Sequence, residues 1–465
     1  MTNKYDAIII GAGMSGLAAG IRLAMYDKKV VILEKHSIAG GLNSYYARRI
    51  KASKEIINFD VGLHALTNFA NKGERRRPFT KLLKQLRIPY DDFKLKEQTF
   101  SLIKFKSAAL KFSNDFELMR SEIATVFPQQ VDQFDKLVNY LVEYNETDLK
   151  ATYISTRSVL ETYLSDDLLK EMIIAPLLIY GSAWEEDMDF SQFVIMFKSI
   201  YLEGFSRPVG GVRTIIELLI DKYQSVGGEL RFKAPVSQIK ADTHVKGVYL
   251  ADGEFLESQK IFSSAGLPET FSLLNEAESL KSDIGKMSFT ESIIVTQNKQ
   301  AIQNYKATIV FYNESDKYLY RKPDTLIDTS SAVFCLPDNY ELENKDGNGT
   351  ARITYMANYD LWKKLSKAEY LAQKENVYHQ ANKLTQKILG QKVDCIFKDV
   401  FSPTTIERYT GHFSGTVYGA TKKTRDGQTS IPGLYIIGTD QGFLGIVGSM
   451  LSGISMSNLY GLMES

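Results

Sequence analysis

Tyr5-Asp6-Ala7-Ile8-Ile9-Ile10-Gly11-Ala12-Gly13-Met14-Ser15-Gly16 decides the reading of this chain. Ile8 to Ile10 form an apolar, β-branched run suited to a strand buried on both faces. The run stops at a glycine, and a G-x-G-x-x-G pattern leads into Leu17 to Ala24, an Ala/Leu-rich helix signal. Gly11 permits the tight turn, Gly13 lets backbone approach a pyrophosphate, and Gly16 lets helix and strand pack closely. Ala12, Met14 and Ser15 complete that turn. Such a pattern alone is weak, because glycine is common. Here it follows a strand, opens a helix, and meets a second strand, Val30 to Leu33, that ends in Glu34. An acid at that place accepts hydrogen bonds from a ribose 2′-hydroxyl and disfavours a 2′-phosphate.

Working outward, 465 residues exceed one simple core, so two or three lobes are expected. A formal net charge of +1 makes no case for nucleic acid or an acidic partner. Arg75-Arg76-Arg77 reads as a solvated loop. The two cysteines, Cys335 and Cys395, lack metal-ligand spacing and read as core residues of a protein in a reducing compartment. The five histidines form no H-x-x-x-H cluster, so no metal site is expected. No apolar run is long enough to span a bilayer, and the N-terminal apolar run belongs to the first strand. The expectation is a cytoplasmic protein, with peripheral membrane contact left open.

After Glu34 and Lys35, the adjacent Gly40-Gly41, followed by Leu42 and Asn43, invite close backbone approach to a ligand. Ile56 to His64 reads as a short strand running into a loop. From about 80 to 205, glycine is sparse and apolar residues recur at helical spacing. Phe134 to Val142 and Ser158 to Ile174 are predicted as amphipathic helices. Leu177 to Gly181 and Phe190 to Phe205 read as helix core, as the wall of a long apolar pocket, or as a surface dipping into lipid. Arg207 to Val212 marks a return to the first lobe, and Thr214 to Tyr223 is a helix signal. Lys246 to Ala251 and Lys260 to Ser264 are predicted strands joined by the turn Asp252-Gly253. Between 285 and 400, Ile293 to Thr296, Thr308 to Tyr312 and Ala351 to Met356 read as strands, and Ala368 to Leu389 as a long helix. Near the end, Ile431 to Asp440 is a strand entering a glycine turn with an acid, and Gly445 to Gly453 opens a final helix.

The opening motif, Glu34 and the Gly40-Gly41 pair resemble the FAD-binding entry of the flavin amine oxidase and phytoene desaturase superfamily. An Arg commonly follows the paired glycines there; Leu42 stands in its place, so the phosphate contact of that Arg has no counterpart at this position. The segment around Val236 resembles the family's second pass through the FAD lobe, where a valine meets the adenine through backbone contacts. Gly438-Thr439-Asp440, with the helix carrying Ile446, Val447 and Met450, is similar to its C-terminal flavin segment. Thr404 to Tyr409, Gly415 to Gly419 and Phe443 to Gly448 look like the branch of phytoene desaturases, carotene isomerases and retinol saturases.

The resemblance implies an α/β fold: a doubly wound, Rossmann-like FAD-binding lobe from residues 1–80, 207–284 and 401–465, with an α+β substrate lobe, 81–206 and 285–400, inserted. It implies an oxidoreductase exchanging a hydride between flavin N5 and the carbon–carbon bonds of a long apolar isoprenoid or polyene. The cofactor carries that chemistry, while the protein supplies position, electrostatics and dryness. His64 is the one candidate proton donor or acceptor, or else a hydrogen-bonded loop residue; His412 has weaker support. Desaturation or saturation, and the electron acceptor or donor, stay open. The alternatives are a flavin amine oxidase and a non-redox FAD-dependent isomerase, which share the fold.

Overall fold

The computed structural model describes residues 3–50, 54–274 and 282–463. Each of the spans 1–80, 207–284 and 401–465 therefore includes a few residues outside the described ones. The opening run becomes the strand Ala7–Ile10, central in a five-stranded parallel sheet ordered Leu434–Ile436, Ile261–Ser263, Ala7–Ile10, Val30–Leu33, Glu229–Arg231. Its side chains alternate between two buried faces. Ala7 and Ile9 join the helices Met14–Ala24, Val212–Ser225 and Gly445–Met456. Ile8 and Ile10 meet a three-stranded antiparallel sheet through Ile239, Val248 and Leu256. The second covering layer is thus sheet rather than helix. That sheet includes Phe255–Glu257, a strand absent from the sequence reading. The Asp252-Gly253 turn joins Val245–Leu250 to this short strand, not to Ile261–Ser263, which belongs to the parallel sheet.

A seven-stranded sheet forms the second layer system, in the order Phe397–Phe401, Ser288–Thr296, Gly349–Ala357, Ser331–Cys335, Ile309–Asn313, Ser101–Lys104, Ala109–Phe112. Two of its strands lie in the stretch read as helical: Ser101–Lys104 and Ala109–Phe112 form a hairpin on the sheet's edge. Ser331–Cys335 was also unread. The helix Lys367–Leu389, opened by a Ser366/Glu369 capping box, covers one face through Val377, Ala381 and Leu384. Helices from 116 to 197 cover the other.

The helix expected over Ser158 to Ile174 is two helices, Thr156–Tyr163 and Asp167–Gly181. The break falls where Asp166 turns its carboxylate onto the Leu169 N–H at 2.9 Å, starting a new helix. Phe190, Phe193, Phe197, Tyr201 and Phe205 are fully buried core, while Met196 of the same stretch lines the larger cavity described below. Cys335 is buried and Cys395 half-buried, both free thiols. Among the described residues no helix is long and apolar enough to cross a membrane, and no His, Cys, Asp or Glu cluster could hold a metal.

Candidate functional site

Two cavities meet along the C-terminal ends of the parallel strands. The smaller, about 260 Å³, is walled by Gly11, Gly13, Met14, Ser15, Glu34, Lys35, Gly40, Val236, Gly438 and Asp440. The larger, about 900 Å³, runs between the parallel sheet and the seven-stranded sheet and includes His64 and Ile446. Gly41, Leu42, Asn43, Thr439 and Glu34 line both, so the two spaces adjoin along a shared wall.

The smaller cavity is built by the opening motif. Gly11 has φ +94°, a left-handed conformation that favours glycine. A Cβ on Gly16 would overlap the Gly11 carbonyl oxygen, so the helix sits directly against the turn. A Cβ on Gly13 would meet nothing within 4 Å, because it would project into the cavity. The helix that starts there has no capping side chain, and its first turn presents a positive dipole end to the cavity. The helix Gly445–Met456 likewise starts uncapped, and its Ile446 faces the larger cavity. Glu34 accepts from the N–H of Ala12 and of His36, each at 2.9 Å, which fixes its carboxylate while leaving lone pairs for a ligand. Ala12 itself is buried and contributes through that amide.

Two expected residues turn their side chains away from both cavities. Val447 and Met450 are fully buried in the core beside the first helix, and their side chains line neither cavity. Helical periodicity explains this: Ile446 and Ser449 share the cavity face, and 447 and 450 turn away. The Val447 amide still belongs to the open first turn. Asp440 reaches the smaller cavity, but its oxygens already accept from Leu267 N at 2.6 Å, Ala420 N at 2.8 Å and buried Lys423 at 3.3 Å. With Leu42 carrying no charge, Lys35 and His412 are the basic side chains facing the smaller cavity among the described residues. Burial alone would lower the His412 pKa, but adjacent Glu269 lifts it above the ordinary value.

The larger cavity owes its inner wall to strand register. Phe401, Glu291, Thr354 and Val333 stand in one row across four neighbouring strands, and all four line the cavity. Arg352, two residues from Thr354 on the same face, pairs with Glu291 while fully buried. Its other nitrogens donate to the carbonyls of Leu63 at 2.6 Å and Val61 at 2.7 Å. Arg207 adds a bond to Leu63 O at 3.1 Å and pairs with Asp60, which also accepts from Val212 N at 3.0 Å. Two arginines from distant segments therefore pin the 61–64 loop and aim His64 inward. Its Nε2 lies 3.3 Å from Glu291 and 3.2 Å from Thr354 Oγ1, and its Nδ1 lies 3.2 Å from Tyr180 Oη. Burial first, and then Arg352 and Arg207, hold the imidazole pKa down. Burial would raise the Glu291 pKa, but Arg352 and His64 bring it below the ordinary carboxylate value. The result is a neutral histidine against an ionised carboxylate: Nε2 keeps the proton towards Glu291, and Nδ1 accepts from the tyrosine. Ile179, Met196, Phe289, Val417 and Leu444 make the remaining inner wall apolar.

His64 was legible as a candidate; Glu291, Thr354, Arg352 and Tyr180 were not, because nothing in the linear order announces their register. The wall of Ser264, Ala265 and Glu269 is hidden in the sequence for the same reason.

Residues 9–85 match the model of an NAD(P)-binding Rossmann-like domain. Over 492 residues the chain is 26% identical to the chloroplastic prolycopene isomerase of Arabidopsis thaliana, covering 93% of this chain and 78% of that protein. It is 20% identical over 539 residues to the all-trans-retinol 13,14-reductase of Danio rerio (98% and 85%) and 23% identical over 471 residues to the 1-hydroxycarotenoid 3,4-desaturase of Flavobacterium sp. (90% and 89%). Among solved structures, an oxidoreductase from Methanosarcina mazei superposes with a TM-score of 0.67 at 15% identity, covering 98% of this chain and all of the other. A putrescine oxidase variant does so at 0.63 and 15%, covering 98% and 99%. These structures agree in fold. The sequence relatives, aligned along nearly the whole chain, are a carotenoid isomerase, a retinol reductase and a carotenoid desaturase, and it is to these proteins that the chain is similar.

Proposed function

We propose that this chain is an FAD-dependent oxidoreductase that adds or removes hydrogen at carbon–carbon bonds of a long isoprenoid or polyene. The dinucleotide lobe is assigned to 1–80, 207–284 and 401–465, and the substrate lobe to 81–206 and 285–400. The carrying observation is the adjacency of the two cavities, which share lining residues: one shaped by the glycine turn and Glu34, the other largely apolar with His64 on its wall. In this reading Gly11 to Gly16 and the first helix's amides hold the pyrophosphate, Glu34 takes the ribose, and Val236 borders the adenine. Gly41, Leu42, Asn43, Thr439 and Ile446 bridge towards the ring.

Bound there, FAD would supply hydride exchange at its ring N5. The apolar wall keeps that step dry and orients an apolar chain. His64 holds a proton on Nε2 between Glu291 and Thr354, and the Tyr180 hydroxyl holds one at Nδ1, so a proton can enter or leave without water. The arrangement disfavours an amine substrate, since the inner carboxylate, Glu291, is already neutralised by Arg352. A second reading, isomerisation without net redox, is favoured by the 26% match to a prolycopene isomerase.

The absorption spectrum of purified protein, followed anaerobically with polyenes and amines, tests this. Bleaching of a flavin band by a polyene, or reoxidation of reduced flavin by one, is expected. Bleaching by an amine alone, or failure to take up FAD, would overturn the proposal. Isomerised polyene with an unchanged spectrum would select the second reading.

A further inference from the structure

The larger cavity is not uniform from end to end. Its inner end combines the His64 group with an apolar wall of Ile179, Met196, Phe289 and Leu444. Its outer end carries three cations from three separate elements: Arg48 on the strand Tyr45–Arg49, Lys374 on the helix Lys367–Leu389 and Arg408 on the helix Pro403–Thr410. Asp399 is the carboxylate tied to them. Asp399 lies 3.6 Å from Lys374 and accepts from the Tyr46 hydroxyl at 3.1 Å. Arg48 lies over the Tyr46 ring at 4.7 Å, its Nη1 spent on the carbonyl of Ala47, and Arg408 lies over the Tyr409 ring at 5.6 Å. Among the described residues neither arginine pairs with a carboxylate. These three cations outnumber Asp399, the carboxylate tied to them, by two, and the hydroxyls of Tyr370, Thr404 and Thr405 line the same cavity.

We infer that the substrate is an amphiphile: an apolar chain ending in an anionic group, carboxylate or phosphate, which the Arg48–Lys374–Arg408 rim receives while the chain points towards His64. This inference rests on the proposed function and names its substrate class. A pure hydrocarbon reaching the rim would strip water from three cations and return no hydrogen bond, a cost without compensation. An anion satisfies them, and arginine offers the planar donor pair that carboxylate and phosphate match. A cationic end would be repelled.

The test uses flavin-loaded protein and a matched pair of probes: one C20 polyene ending in a carboxylic acid, the same polyene ending in an alcohol. Dissociation constants are measured by equilibrium dialysis. The acid should bind about tenfold more tightly than the alcohol, as two net exposed charge interactions of about threefold each would give. The preference should shrink as salt is raised. Arg48→Gln and Arg408→Gln should each reduce the acid-to-alcohol ratio about threefold, and Arg408→Lys should keep most of it. Equal binding of both probes, with a ratio indifferent to the variants and to salt, overturns this inference and leaves the proposed function standing. Binding of neither probe overturns the proposed function as well. If the same variants instead abolish binding to phosphatidylglycerol vesicles while the ratio is unmoved, the rim serves a lipid surface and the inference also fails.

Discussion

Exchanging either of two glycines for alanine, three positions apart, should separate folding from cofactor binding. At Gly16 the new methyl would overlap the carbonyl oxygen of Gly11, with its carbonyl carbon at 3.2 Å and Ile9 Cγ2 at 3.3 Å. These are backbone and core atoms that cannot swing aside, so Gly16→Ala should cost about 1–3 kcal/mol of stability, the usual range for overpacking. At Gly13 the methyl meets nothing within 4 Å, and the backbone, φ −72° and ψ 176°, suits any residue. Two small effects there oppose each other: reduced freedom of the unfolded chain favours alanine by about 0.4–1 kcal/mol, and the helix-cap position disfavours it by a similar amount. Gly13→Ala should therefore leave urea denaturation of the cofactor-free protein within about 0.5 kcal/mol of wild type. Its methyl would still occupy space meant for the pyrophosphate, and FAD affinity, read from flavin fluorescence on titration, should fall about tenfold or more, roughly 1.4 kcal/mol. Undiminished FAD binding by Gly13→Ala, or equal stability losses in the two variants, would refute the assignment of the smaller cavity.

Arg352→Met strands the buried Glu291 carboxylate and should cost about 3–5 kcal/mol in urea denaturation, most of it recovered by a second change, Glu291→Leu. The pH dependence of stability should show two opposed histidines. Because His64 titrates lower folded than unfolded, its contribution holds above about pH 6.5 and is lost as pH falls below it, so His64→Gln flattens the acid limb. His412, raised by Glu269, contributes below about pH 6.5 and loses that contribution as pH climbs through its folded value, so His412→Gln flattens the neutral-to-alkaline limb. Lys35→Met removes a cation from the smaller cavity that Leu42 does not supply. FAD dissociation should rise about tenfold and its salt dependence should weaken, measured by fluorescence titration.

What was legible in the sequence was whatever local physics determines. The Ile8–Ile10 run, the Gly11 turn and Glu34 follow from nearest neighbours and from one strand–helix–strand unit, and they recur in the structure in those roles of placement. The Ala7–Ile10 alternation between helix layer and sheet layer was illegible, because both faces are apolar and a continuous run carries no period. The hairpin Ser101–Lys104 and Ala109–Phe112 was hidden by four-residue strands amid helical patterning. The row Phe401–Glu291–Thr354–Val333 exists only once four strands distant in sequence adopt their register. That the side chains of Val447 and Met450 turn inward depends on which face of the final helix packs on the first helix, which no local pattern states. His64 could be suspected from its loop, but the arginines that aim it come from 207 and 352.

The weaving of both sheets has a consequence for how the protein is made. The strand Ala7–Ile10 waits for Ile261–Ser263, and the parallel sheet closes with Leu434–Ile436. In the seven-stranded sheet, Ser101–Lys104 waits for Ile309–Asn313, more than 200 residues later. At about 5–20 residues per second, a ribosome needs roughly 10–40 seconds to bridge that interval. Throughout it the nascent chain carries unpaired apolar strands and half a dinucleotide cradle. Assembly must then be largely post-translational, and cofactor capture is a late event that locks together segments born at opposite ends of synthesis. Chaperone demand and flavin supply during expression should therefore govern yield more strongly than any single contact in the finished molecule.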